Sequence, residues 1–322
     1  MDLHSRQLTL GSGIMPSVGL GTFTFFGKHG SPDEMESAVG LAIDAGYRHF
    51  DCAWVYGTQG VVGRMLEKKI NEGVIEREDV FITTKLWNTH HNPKLVLGEL
   101  KESLNQLRTN YVDMFLMHYP TGQRDQGFSG ELALSTDTKD YECYPLEDVW
   151  KEMERCHQLG LTKNIGLSNF TIDQTKIIFD CCTIKPSNIQ IEVTPYFLNE
   201  RLVKFCIGRG MTVTSYCPLG SPTHPVRLAG EKGPLEDPVL MEMSKEKGKS
   251  VAQIILRFLI QYGTSVIPKS VTPSRIKENI NVFDFELTEK EMQSIKSLNK
   301  NKRLYNEIRL KHHPEYPFDA PL

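Results

Sequence analysis

Two periods of hydrophobic and polar positions alternate along this chain. Short apolar or β-branched runs at 48–52, 80–85, 112–117, 163–167, 186–191, 211–216 and 264–268 read as strands. A glycine-rich run at 18–22 precedes them as a first strand. The 112–117 run is nearly unbroken in its apolar character, as expected of a strand buried on both faces. Between the runs stand helical spacings: Met35, Ala38, Val39, Ala42, Ile43, then Val62, Met65, Leu66, Ile70, then Leu95, Leu97, Leu100, Leu104, Leu107. Further helices are predicted at 146–159, 172–182, 200–209, 239–247, 251–262, 273–281 and 289–298. Ser31-Pro-Asp-Glu opens the first of the set with a cap residue and a proline in the first turn, and Gly46 stops it.

Outside this alternation lie a small N-terminal hairpin, 7–10 with 14–15, and two irregular loops at 121–144 and 218–238. A tail from 301 shows no periodicity. Eight strands alternating with helices, with no repeat or linker, predict one α/β domain over 1–322, a single (β/α)8 TIM barrel. An open doubly wound sheet is the alternative. The loops and tail are expected to cover the rim that carries the active site.

A length of 322 residues suits an eight-unit barrel. A net charge of -3 gives no reason to expect nucleic acid or an anionic membrane as partner. The first residues have no apolar segment of the secretory kind, and the run at 251–262 is interrupted by Gln253, Arg257 and Gln261. Seven cysteines without a Cys-x-x-Cys pair read as reduced thiols of a cytoplasmic protein, not as a disulfide or zinc framework. No metal is expected. The Asn169-Phe-Thr sequon is set aside on the same ground.

Residues at the carboxyl ends of the strands carry the candidate chemistry. They are Thr22, Asp51 with Tyr56 in the loop beyond, Lys85, His118, Ser168-Asn169, Gln190, Tyr216 and Lys269-Ser270. Each has a bland explanation: a cap, a solvated charge, a satisfied core histidine, or an amide closing off a strand end. Together they place acid, phenol, ammonium and imidazole on the one barrel face where active sites are built.

The stretch Gly-Tyr-Arg-His-Phe-Asp-Cys-Ala-Trp-Val-Tyr-Gly at 46–57, Thr-Lys-Leu-Trp at 84–87, Met-His-Tyr-Pro at 117–120, Gly-Leu-Ser-Asn-Phe at 166–170 and Ile-Pro-Lys-Ser-Val-Thr-Pro-Ser-Arg-Ile at 267–276 resembles the aldo-keto reductase superfamily, in its aldose reductase-like branch. The resemblance covers essentially the whole chain and implies a monomeric TIM barrel that binds NADPH without a Rossmann domain. No strand-to-helix Gly-x-Gly-x-x-Gly turn is present, and Gly19-Leu-Gly21 reads as tight backbone packing. The resemblance implies a catalytic tetrad of Asp51, Tyr56, Lys85 and His118. It places Ser168, Asn169 and Gln190 on the nicotinamide amide and stacks Tyr216 on its ring. Lys269, Ser270, Thr272 and Arg275 fall at the 2′-phosphate, and Glu278 and Asn279 at the adenine. Thr22, Asp51, Leu219, Ser221 and Val271 complete the implied cofactor contacts. Phe23, Trp54, Tyr56, Trp87, His118 and Tyr119 would bound an aldehyde or ketone. Family members that reduce carbon–carbon double bonds carry glutamate in place of the histidine, so His118 points to carbonyls. The chain departs from its close relatives at Thr223, where they have an aspartate that clasps the cofactor. It departs again at Cys217, Phe23 and Tyr119.

The chemistry can be argued without the resemblance. Carbonyl reduction needs a hydride on carbon and a proton on oxygen. A phenol is a suitable donor if its pKa, ~10 unperturbed, is brought down. An ammonium ~4 Å away at an effective dielectric of ~20 contributes ~4 kcal/mol in that direction, before desolvation opposes it. Lys85 is expected to fill that role, held by Asp51, with His118 orienting the carbonyl. Lys269 and Arg275 beside the helix opened by Thr272-Pro273 suit a phosphate dianion. A non-catalytic NADPH-binding barrel with a structural or regulatory role remains the alternative function.

Overall fold

The computed structural model describes residues 7–11, 13–23, 31–124, 137–222 and 232–320. Strands β1 (Gln7–Leu10) and β2 (Gly13–Pro16) pair antiparallel as a hairpin. Leu8, Leu10 and Met15 of the hairpin pack on Phe81, Met114 and Leu116. Phe81 and Met114 are the first residues of their strands, so the hairpin plugs the amino-terminal mouth.

Eight parallel strands follow: β3 (Leu20–Gly21), β4 (His49–Asp51), β5 (Phe81–Leu86), β6 (Met114–Met117), β7 (Ile165–Ser168), β8 (Asn188–Glu192), β9 (Thr212–Tyr216) and β10 (Thr264–Val266). Each pairs with its sequence neighbour. The ends of this sheet meet through a parallel bridge between Val18 and Val266. There the Gly19 N–H donates to the Val266 carbonyl at 2.9 Å, and the Val266 N–H to Ser17 O at 2.8 Å. Closure requires glycine: a Cβ on Gly21 would stand 2.8 Å from the Ile267 carbonyl, and one on Gly19 2.7 Å from His49 Nδ1. The fold is the expected (β/α)8 barrel.

The outer ring consists of α1 (Pro32–Asp44), α2 (Gln59–Asn71), α3 (Pro93–Leu107), α4 (Leu146–Gln158), α5 (Ile172–Cys181), α6 (Glu200–Gly208), α7 (Pro238–Lys247), α8 (Val251–Gln261), α9 (Pro273–Ile280) and α10 (Glu289–Lys296). Ser31 and Glu34 close a capping box on α1, with Pro32 in its first turn. The core lies between ring and barrel, around side chains such as Trp150, Phe115, Phe170 and Phe258.

Boundaries moved for local reasons. The strand expected at 112–117 begins at Met114, because the Asp113 carboxylate accepts the Ile82 N–H at 3.0 Å and pairs with Arg77 at 2.9 Å. The strand at 264–268 stops at Val266, since Pro268 has no N–H to continue a ladder. Of the 121–144 segment, residues 125–136 lie outside the described residues; the rest is less irregular than its sequence suggests. Gln123 bridges Tyr141, and Thr138–Asp140 forms one 3-10 turn. The Tyr141 hydroxyl donates to Arg309 O at 3.1 Å, tying this segment to the tail. The tail itself carries a turn at Ile308–Leu310.

All seven cysteines are free thiols. Among the described residues no helix is long and apolar enough to cross a membrane, and no cluster of His, Cys, Asp and Glu has the makings of a metal site.

Candidate active site

The site is assembled at the carboxyl ends of the strands. Asp51 ends β4, and three residues later the single 3-10 turn Trp54–Tyr56 brings Tyr56 back over it. Gly57, at φ 65, ends that turn in the left-handed region that a side chain disfavours. Lys85, near the end of β5, is wholly buried beneath both. Its Nζ donates to Asp51 Oδ1 at 2.6 Å, to the Cys52 carbonyl at 2.9 Å and to the Tyr56 hydroxyl at 3.2 Å, which uses all three N–H bonds. Gln190 of β8 donates from Nε2 to Asp51 Oδ2 at 2.6 Å. Thr22 is buried beside them, its hydroxyl donating to the Asp51 carbonyl at 2.9 Å.

His118 follows β6 and lines the cleft. Its ring meets Tyr56 edge-on at 5.7 Å and Trp87 at 5.1 Å, and stacks on Tyr119 at 5.2 Å. Nδ1 is buried without a hydrogen-bond partner, leaving Nε2 as the nitrogen for a ligand. Burial, with help from the Lys85 charge, holds the imidazole well below its usual pKa, so it is neutral at physiological pH.

Tyr56 corrects an expectation. Its pKa lies well above the ordinary tyrosine value, driven first by burial and then by the Asp51 carboxylate. Burial disfavours the phenolate more than any neighbouring charge does, and the Asp51 carboxylate, paired with Lys85 at 2.6 Å, adds to it. The hydroxyl therefore keeps its proton throughout the neutral range.

Asn169 sits at φ 61, a conformation asparagine tolerates. Its Nδ2 donates to the His118 carbonyl at 2.9 Å and to Ser168 Oγ at 3.2 Å, while its Oδ1 accepts the Tyr216 hydroxyl at 2.8 Å. From here a cleft of about 1540 Å³ runs past Leu219 and Ser221 to the start of α9. Ser270, Val271, Thr272, Arg275, Glu278 and Asn279 line that far end with Lys269. Arg275 is exposed there and has no salt-bridge partner among the described residues. Lys269 is half-buried, and burial lowers its pKa from the lysine norm. The Ser270 hydroxyl accepts the Thr272 N–H at 3.1 Å, and the Ser250 hydroxyl bonds the Glu278 carboxylate.

Phe23, Trp87 and Tyr119 also line the cleft. Trp54 does not reach its lining; the indole lies edge-on to His90 at 4.9 Å, half-buried. Thr22 and Lys85 likewise stand behind the lining. Thr223 lies outside the described residues. His312, in the tail, is exposed. Its neighbour His313 turns inward instead, donating from Nε2 to the Gly122 carbonyl at 3.0 Å.

Two acids escaped sequence reasoning. Glu192, the last residue of β8, accepts the Leu304 N–H at 2.8 Å and the Tyr305 N–H at 2.7 Å, fastening the tail where residues 304–309 enter the cleft. Glu99 lies among the buried positions Val96, Leu100, Ser103 and Leu104 of α3. A charge inside an apolar run or stripe was the signal available for both.

A parallel barrel with a buried lysine–aspartate pair beneath a tyrosine and a histidine, at the head of a long cleft, defines an oxidoreductase-type barrel. Comparison with known proteins agrees: the family model described as "Aldo/keto reductase family" matches residues 17–300. The chain belongs to the aldo/keto reductase family. It is 40% identical over 321 residues to aldo-keto reductase family 1 member A1 of Xenopus tropicalis, covering 95% of each chain. It is 39% identical over 321 residues to member D1 of Mus musculus, covering 98% of this chain and 97% of that one. The aldose reductase structure of Schistosoma japonicum superposes with a TM-score of 0.89 at 38% identity, over 99% of this chain and 100% of that chain.

Proposed function

We propose that this protein reduces aldehydes or ketones to alcohols using NADPH, with Tyr56 as the general acid. The observation that carries the reading is the Lys85 ammonium, 2.6 Å from Asp51 and 3.2 Å from the Tyr56 hydroxyl, beside His118 in one cleft. The cleft exceeds the ~300–1,000 Å³ usual for one small ligand, which suits a dinucleotide with a substrate at its end. Arg275 and Lys269 at the α9 end suit an added phosphate, which favours NADPH over NADH.

When bound, NADPH supplies the hydride. The chain's own residues do the rest. Neutral His118 presents a ring nitrogen to the carbonyl oxygen and fixes its angle. Tyr56 passes its proton to that oxygen as negative charge develops there, and Lys85 stabilises the phenolate left behind. Asp51 and Gln190 keep the Lys85 ammonium aimed at the phenol. Ser168, Asn169, Tyr216, Leu219, Ser221 and Val271 bound the path of the cofactor, with Glu278 and Asn279 at its far end. Phe23, Trp87 and Tyr119 wall the substrate.

NADPH consumption with a reactive aromatic aldehyde tests the reading. Turnover is expected. Tight NADPH binding without turnover of any aldehyde or ketone would overturn it in favour of a binding protein on this barrel.

A further inference from the structure

Glu99 is a carboxylate with no part in the tetrad, buried to 3% exposure on α3. Both of its oxygens accept the Trp87 amide N–H, Oε1 at 2.9 Å and Oε2 at 3.2 Å. Oε2 also lies 2.9 Å from His90 Nδ1. The two arms reach two elements that carry lining residues of the proposed substrate pocket, Trp87 and the Tyr56 turn. The first holds Trp87, whose indole lines the cleft and packs on His118 at 5.1 Å. The second holds His90, whose ring supports Trp54 at 4.9 Å, and Trp54 begins the 3-10 turn that ends in Tyr56.

A buried carboxylate is costly unless each lone pair is used, and burial indeed pushes the Glu99 carboxyl up while His90 opposes it. An apolar residue in the α3 stripe would pack there without that cost. What the acid adds is a fixed geometry for a loop that has no ladder of its own: between Leu86 and α3 the chain makes only the turn Asn88–His90.

We propose that Glu99 is a positioning residue of the active site, fixing Trp87 against His118 through the amide and bracing the Tyr56 turn through His90 and Trp54. The inference rests on the reductase reading for its kinetic consequence and on the indole environments for a readout independent of turnover.

Three variants test it: Glu99→Ala, Glu99→Gln, which keeps an acceptor for the Trp87 amide, and His90→Phe, which keeps a ring against Trp54 but severs the nitrogen contact. In Glu99→Ala, kcat/KM should fall for both a bulky aromatic and a small aliphatic aldehyde, because both use Tyr56, but by about tenfold more for the bulky one, whose ring also leans on the Trp87 wall. Glu99→Gln should recover most of the loss. NADPH affinity should stay within about twofold in all three, since neither Trp87 nor His90 is among the residues proposed to bound the cofactor's path. The near-UV circular dichroism of the tryptophans should weaken in Glu99→Ala and in His90→Phe and return in Glu99→Gln. Equal losses for both aldehydes, or unchanged near-UV spectra in Glu99→Ala and His90→Phe, would overturn the proposal. If Glu99→Ala does not fold, the His90→Phe spectrum decides it. If no aldehyde turns over even in the unaltered protein, the reductase reading fails while the spectra still report on Glu99.

Discussion

Gln190 reaches across the barrel to Asp51, its Nε2 donating to Oδ2 at 2.6 Å. With Oδ1 already taken by Lys85, both carboxylate oxygens are engaged, one by a charge and one by a dipole. Neither donor has the freedom to turn away. That saturation explains how the barrel carries a wholly buried ammonium.

Replacing Tyr56 with Phe removes the proton donor and leaves the ring against His118 and Phe23. Steady-state reduction should slow by about 10²–10⁴-fold, the usual worth of a placed general acid. NADPH affinity, measured by fluorescence titration, should be unchanged. Retained full activity would remove Tyr56 from its role.

Asp51→Asn strands the Lys85 ammonium in the barrel without a counter-charge. Urea unfolding should show a loss of about 3–5 kcal/mol, the scale for breaking a buried ion pair by removing one partner. Reduction should fall with it. A stability change below ~1 kcal/mol would mean that Cys52 O and the Tyr56 hydroxyl suffice to hold the lysine.

Arg275→Ala should weaken NADPH binding by about ten- to a hundredfold and leave NADH nearly untouched, as a charge-assisted bond to phosphate requires. Equal losses for the two nucleotides would count against Arg275 at the phosphate.

Glu192 makes the tail sensitive to pH. Burial raises its carboxyl from 4.5 to about 7, against the opposing N–H donors of Tyr305 and Leu304. A folded-state pKa above the unfolded value means that the fastened state prefers the protonated acid. Its contribution is fully present below pH ~4.5 and is lost as pH rises through 7, amounting to roughly 3 kcal/mol across that window. Tail attachment, followed by hydrogen exchange at Leu304 and Tyr305 after correction for intrinsic rates, should therefore loosen between pH 5 and 8. Glu192→Gln, which cannot ionise, should flatten this dependence. An identical pH profile in the variant would show that other groups govern the tail.

Much of the architecture could be read from period alone. The strand-and-helix alternation gave every barrel element to within a few residues, because burial on both faces of a parallel sheet leaves long apolar runs. Gly19 and Gly21 were legible as close packing, and the structure sets them against His49, Ile267 and Lys269. The turn at Thr138–Asp140 and its neighbour Tyr141 were not legible, since what ties them down is the Tyr141 hydroxyl meeting the Arg309 carbonyl 168 residues away. Nothing in the strand and helix pattern singled out Glu99 and Glu192, although each stands in an apolar setting. Trp54 was placed at the pocket by its motif, yet it turns toward His90.

The sequence by itself determined which residue types stand at the strand ends, because spacing and polarity are properties of the chain. Only the tertiary structure decided how their charges balance. Whether Tyr56 gains or loses acidity depends on the distance from Lys85 to Asp51 compared with that to the phenol, and on how much water the barrel excludes. Those are facts of three dimensions: electrostatic energy follows separation and surroundings, and residues 34 apart in the chain lie 2.6 Å apart in the fold.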